Sequence, residues 1–231
     1  MKEIYLDGTY YLKNPTWDKE DSEWKAKQVL KILERNKIVP KKICEVGCGA
    51  GEILNHISLK LIGVSEYVGY DISPQAIELA TAIKNDKLKF RNKDFLKEQN
   101  EIYDILLVMD VVEHVEDYIN FLRELKGKAK YKIFHFPLDL SVLTVLNSSS
   151  LLDTRKKVGH IHYFTKDIVL EVLKDLEYEI IDYFYTDMSF VRPTDKLKIK
   201  LLLQLRKTGF RINKDITVKI LGGYSLLILA K

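Results

Sequence analysis

Between residues 21 and 37 apolar side chains return at helical spacing, with Trp24, Val29, Ile32 and Leu33 set among Lys, Glu and Gln, and the pattern stops near Pro40. An amphipathic helix is expected there, behind an aromatic, turn-rich arm over 5–17. A short apolar run over 42–46 ends in Gly47, Gly49 and Gly51, and 52–59 then reads as a helix, giving strand, tight loop, helix. The alternation continues: a strand over 67–71, a helix over 75–83 capped by Ser73-Pro74, strands over 88–91 and 102–109, a helix over 115–125 and a strand over 131–136. A loop-rich stretch is expected over 137–162, then a helix over 165–176 with Thr165 as cap, a strand over 178–185 and a last strand over 224–230. Strands alternating with helices imply a mostly parallel sheet with right-handed crossovers and helices on both faces.

Composition adds limits. A chain of 231 residues with 46% hydrophobic and 30% charged residues has material for one α/β domain and shows no sign of disorder. The expected organisation is a single domain over 1–231, with an aromatic and helical cap over 1–40 and a basic insertion over 187–223 that carries a helix-like run over 196–206. No apolar stretch is long enough to span a membrane, and the N-terminus lacks a signal peptide, so a cytoplasmic location is expected. Cys44 and Cys48 form neither a disulfide framework nor a zinc motif. The net charge is only +4, yet nine Lys/Arg against two Asp lie between 191 and 220. Lys196, Lys198, Lys200, Arg206, Lys207 and Arg211 there could attract an anionic acceptor, or form a solvated helix face.

The glycine loop carries the chemistry. A dinucleotide fingerprint would place its third glycine at position 52, which is Glu52, and the pattern is instead Glu45-x-Gly47-x-Gly49-x-Gly51. Glycines there let backbone approach a ligand lying across the strand end. Asp71 follows Gly51 by 20 residues at the end of the second strand, where a carboxylate can accept both hydroxyls of a ribose.

These residues resemble the class I S-adenosylmethionine-dependent methyltransferases, particularly the group of small-molecule enzymes of ubiquinone-biosynthesis type. The stretches that match are Glu45 to Gly51, Gly69-Tyr70-Asp71-Ile72-Ser73, Asp94-Phe95, and Tyr103-Asp104-Ile105 through Asp110-Val111-Val112-Glu113-His114-Val115. The resemblance implies a Rossmann-like class I methyltransferase fold, a seven-stranded, mostly parallel sheet with an antiparallel C-terminal strand. It implies S-adenosyl-L-methionine as cofactor and S-adenosyl-L-homocysteine as product. Glu45, Gly47, Gly49 and Gly51 would hold the methionine end, Asp71 the ribose, and Ile72, Asp94 and Phe95 the adenine, while Met109 and Asp110 would line the methionine end from the fourth strand.

Methyl transfer from a sulfonium gains mostly from positioning, and a base is needed only where the acceptor must lose a proton. His114 is the candidate base, with capping or acceptor orientation as its other reading. His160 and His162, in Gly159-His160-Ile161-His162-Tyr163-Phe164-Thr165, are candidates for substrate contact, for a base or for local capping, and His162 is carried with His114 as catalytic. No metal site is expected, because no carboxylate or Cys accompanies the pair at ligand spacing. Tyr10, Tyr11, Trp17 and Trp24 could form a lid, although Trp24 also fits plain core.

The expected reaction is methylation at O or N of a small molecule: a sugar, sugar nucleotide, phosphorylated or quinone-type precursor. Methylation of RNA or protein is the alternative, encouraged by the basic insertion. Against nucleic acid stand the absence of an RNA-binding signature and of the Asn/Asp-Pro-Pro-Tyr turn, replaced by Asp110-Val111-Val112-Glu113. A non-catalytic cofactor-binding module is a third reading.

Overall fold

A computed structural model describes residues 3–98, 102–187 and 195–231. Seven strands, β1 (Lys42–Val46), β2 (Glu66–Asp71), β3 (Leu88–Asn92), β4 (Tyr103–Met109), β5 (Ala129–Pro137), β6 (Ile180–Thr186) and β7 (Ser225–Ala230), form one sheet in the order β3-β2-β1-β4-β5-β7-β6. The first five pair in parallel, and β7 runs antiparallel to both β5 and β6. This is the fold class expected from the sequence.

Side chains alternate across a strand, so the long apolar runs feed two cores. On one face Leu106, Val108, Phe134, Phe136, Leu226 and Ile228 pack with Leu122, Leu125, Val169 and Leu173. On the other, Ile43, Ile105, Leu107, Ile133, Leu227 and Leu229 pack with Ala26, Val29, Ile32, Leu33, Leu54 and Ile57. The helices supplying these layers follow as α1 (Glu3–Leu6), α2 (Thr9–Lys13), α3 (Ser22–Arg35), α4 (Glu52–Ser58), α5 (Pro74–Thr81), α6 (Tyr118–Leu125), α7 (Val142–Leu146), α8 (Ser149–Val158), α9 (Lys166–Asp175), α10 (Leu197–Ile212) and α11 (Lys214–Leu221).

Several boundaries depart from the sequence reading. The stretch over 137–162 is not loop-rich: Ser141 and Thr144 cap one another reciprocally to start α7, and α8 ends at Gly159 in the left-handed region, φ 82°. The helix expected over 115–125 starts at Tyr118, because the Asp117 side chain accepts from Asn120 N. Tyr178 precedes β6 and is held in the core by donating its hydroxyl to the Leu122 carbonyl at 2.7 Å. The helix-like run over 196–206 continues to Ile212, and Asn213 then caps α11. The part of the basic insertion over 188–194 lies outside the described residues.

The sheet order reverses between β1 and β4. A crevice opens beyond the carboxyl ends of such strands, and this is where the glycine loop and Asp110 stand.

Candidate active site

A cavity of about 660 Å³ fills that crevice. Of the residues assigned to the cofactor from the sequence, Glu45, Gly47, Gly49, Asp71, Ile72, Asp94, Phe95, Met109 and Asp110 line it, and Gly51 does not. The loop is held against β2 by Gly47 N and Cys48 N, which donate to the Tyr70 carbonyl at 2.8 and 3.0 Å. Gly47 and Gly51 both have positive φ, and a Cβ would lie 2.6 Å from Val111 at the first and 2.4 Å from Phe90 at the second. Asp71 is buried and uses one oxygen for Gly49 N (2.9 Å) and the other for Ser73 N (2.8 Å). Asp94 accepts from Leu96 N, and the Phe95 ring is buried edge-on against Tyr70.

Among the described residues, three polar groups in the wall have no hydrogen-bond partner. Both carboxylate oxygens of Glu45 and of Glu113, and the indole Nε1 of Trp17, are buried with no hydrogen bond. Burial pushes both carboxyls well above the usual carboxylate range. Asp110 behaves differently. Burial would raise it, but His135 Nδ1 at 2.5 Å and Lys25 Nζ at 2.7 Å hold it below that range. Asp110 therefore faces the site with its side chain already paired, and its backbone is strained at φ 57°.

Glu113, His114, Pro137, Val158 and His160 also line the cavity. His114 Nδ1 lies 3.0 Å from the Tyr5 hydroxyl and 3.1 Å from the Gly159 carbonyl oxygen, and burial lowers its pKa to about 4. His162 is turned away from the cavity. Its Nε2 meets the carbonyl oxygens of Val115 and Glu116 at 2.9 and 3.2 Å, so it fastens the turn before α6 and is not among the residues that line the cavity.

Of the expected lid residues, Tyr10 and Trp17 roof the cavity, with ring centroids 4.8 Å apart, and Tyr11 and Trp24 do not. None of Lys196, Lys198, Lys200, Arg206, Lys207 or Arg211 lines it, and Arg206 instead donates to the Leu221 carbonyl. Tyr5 and Lys25 were missed by the sequence reading. Lys25 left a signal, since it sits on the same helical stripe as the buried Ser22, Ala26, Val29 and Ile32.

The strand order and a glycine loop facing a strand-end acid define a Rossmann-like, nucleoside-binding methyltransferase fold. Comparison with known proteins agrees: residues 17–183 match the family described as methyltransferase domain. The chain belongs to this family, the class I methyltransferases. It is 36% identical over 104 residues to the mitochondrial ubiquinone biosynthesis O-methyltransferase of Schizosaccharomyces pombe, a match covering 42% of this chain and 37% of that enzyme's length. In fold it resembles the plantazolicin methyltransferase BpumL, solved with a monoazolic desmethylPZN analogue and S-adenosylhomocysteine (TM-score 0.62, 17% identity, 99% of this chain and 95% of that one). It also resembles the magnesium protoporphyrin IX methyltransferase of Synechocystis, solved with S-adenosylhomocysteine (TM-score 0.60, 18% identity, 90% and 82%).

Proposed function

We propose that this protein methylates O or N of a small-molecule acceptor. The observation that carries this reading is the cavity, which is lined by Asp71, the glycine loop and His114 together with Tyr5, Tyr10 and Trp17. A pocket of this size and apolar, aromatic lining suits a small molecule better than a polynucleotide. The aromatic, unphosphorylated end of the expected acceptor range fits best, since among the described residues the lysines on the wall, Lys25 and Lys93, are both paired with carboxylates.

The residues present fit the cofactor. The buried, partnerless Glu45 carboxyl suits the ammonium of the methionine end, and the Gly47 and Gly49 backbone leaves room beside it. Asp71 holds the ribose with the acceptor capacity its two backbone bonds leave over. Ile72, Asp94 and Phe95 take the adenine. When bound, S-adenosylmethionine supplies an activated methyl group on a sulfonium leaving group. The chain's part is to hold the acceptor in line and exclude water. His114 serves the acceptor. Its Nδ1 is fixed by Tyr5 and Gly159, so the ring presents a single orientation, which favours orienting the acceptor over acting as a free base.

The test is release of S-adenosylhomocysteine across phenols, amines, neutral and phosphorylated sugars, sugar nucleotides and short RNAs. Turnover with a small acceptor is expected. Turnover with RNA alone would replace this reading, and cofactor binding without turnover on any member would point to a binding module.

A further inference from the structure

We propose that Glu113, His114 and His160 bind one divalent transition-metal cation in the wall of the cavity. The Nε2 atoms of His114 and His160 lie 3.9 and 3.8 Å from the same carboxylate oxygen, Glu113 Oε1. One donor atom from each of the three residues falls within 4.8 Å of the others. Ligands about 2 Å from a shared ion stand roughly 3–3.5 Å apart, so side-chain rotations that shorten these separations by roughly 0.5–1.5 Å close the set.

Two further features distinguish this cluster from a chance meeting of polar groups. Glu113 is fully buried and neither of its oxygens has a hydrogen-bond partner. A buried carboxylate in that state is costly unless something cationic or a proton meets it. Both imidazoles are also anchored through the far nitrogen. His160 Nδ1 is 2.7 Å from Asp139 Oδ2, and His114 Nδ1 is 3.1 Å from the Gly159 carbonyl oxygen. An N–H donated to those acceptors leaves Nε2 with its lone pair facing Glu113, which is the outer-shell arrangement that orients metal-ligating histidines.

The backbone fastens the parts together. Ile161 N and His162 N both donate to the Glu113 carbonyl, at 2.9 and 3.2 Å, so the segment after α8 and the turn before α6 move as one. The expectation of no metal site weighed the histidine pair only against its sequence neighbours. The carboxylate comes from 47 residues before His160, across β5, α7 and α8.

Two imidazoles and one carboxylate suit zinc, iron, manganese or cobalt rather than calcium. Three protein ligands leave coordination positions open toward the cavity. An oxygen donor of the acceptor would bind there, a step that rests on the methyl-transfer reading above, whereas the cation site itself does not.

The experiment uses the full chain, stripped with a chelator and titrated with Co²⁺ and, in competition, Zn²⁺, with metal content measured after dialysis and S-adenosylhomocysteine affinity measured on the same samples. One equivalent per chain is expected, with a cobalt absorption spectrum of nitrogen and oxygen ligation. Glu113→Gln and His160→Ala should lose it, Asp139→Asn should weaken it about 10–100-fold, and His56→Gln should leave it unchanged. Substoichiometric binding by the wild type would overturn the proposal, as would full retention in Glu113→Gln and His160→Ala. If those two variants do not fold, the wild-type spectrum and Asp139→Asn decide. Intact S-adenosylhomocysteine affinity without metal binding sinks the cation site alone, and the reverse result sinks the cofactor reading alone.

Discussion

Lys25 Nζ lies 2.7 Å from Asp110 Oδ2, so the first long helix, α3, is tied by a half-buried ion pair to the end of β4. The other carboxylate oxygen is 2.5 Å from His135 Nδ1, whose Nε2 reaches Thr186 at 2.8 Å. The chain of contacts crosses from the cap to the far edge of the sheet. Stripping one partner from a fully buried pair costs about 3–5 kcal/mol and from an exposed one at most about 1 kcal/mol, so with the pair half-buried and His135 retained, Lys25→Met is expected to lose about 1–3 kcal/mol. Urea denaturation checks this, and an unchanged midpoint would contradict it. The sign with pH also follows: the Asp110 carboxyl sits below its unfolded value, so its contribution is complete at neutral pH and is lost as acid protonates it.

Asp71 bonds to two backbone amides and also faces the cavity, so removing its charge has two consequences. Asp71→Asn is expected to weaken S-adenosylhomocysteine binding by about 1.5–3 kcal/mol, the worth of a hydrogen bond to a charged group. Calorimetric titration measures it. An unchanged dissociation constant would leave Asp71 a loop anchor only.

How much of this was readable beforehand follows from range. The strands and the cofactor loop were legible because their signals are local: Ile105 to Met109 is a continuous apolar run, and Gly47 to Asp71 is a motif read along the chain. The meetings of Glu113 with His160 and of Tyr5 with His114 were not, because each joins distant segments. Nothing adjacent to His160 announces Glu113, and nothing near Tyr5 announces His114, 109 residues away. Helices α7 and α8 were missed for a different reason. The Ser141-x-x-Thr144 cap was visible, but α7 has no buried residue and so no apolar periodicity to flag it.

At Gly51, φ is 78° and a Cβ would press on Phe90 Cε1 and Cζ at 2.4 Å. Gly51→Ala is expected to destabilise the protein by about 2–4 kcal/mol, from left-handed backbone strain together with overpacking. Adding Phe90→Ala should return the packing part and leave the backbone part, about 1–2 kcal/mol, relative to Phe90→Ala alone. Thermal unfolding of the four proteins gives the cycle, and strict additivity would show that the Phe90 contact is not what excludes a side chain.

The basic helix α10 stands apart from the cavity wall, and Lys198 and Lys200 are exposed. Replacing Lys196, Lys198 and Lys200 with Gln is therefore expected to leave kcat/KM for a small acceptor within about twofold, with little salt dependence of the difference, because exposed charges beyond the Debye length of about 8–10 Å are screened. A salt-sensitive rise in KM would restore the anionic-acceptor role that the sequence suggested for this face.

Lys132 is 2% exposed, on β5, with its ammonium 5.6 Å from the centre of the Tyr178 ring. Burial pushes its pKa down to about 8, with the nearby Lys126 adding to the effect. A lysine whose folded value lies below its unfolded one, about 10.4, costs stability while it is charged, and that cost shrinks as pH rises between the two values because the unfolded chain then binds more protons. Lys132→Met keeps the stem's packing and carries no proton. The variant is therefore expected to be more stable than the wild type at pH 7, with the gap narrowing steadily toward pH 10, roughly the unfolded lysine value. Denaturation midpoints of both proteins across that range test the argument. A gap independent of pH would mean that the Lys132 ammonium stays solvated, its effect on stability coming from packing alone.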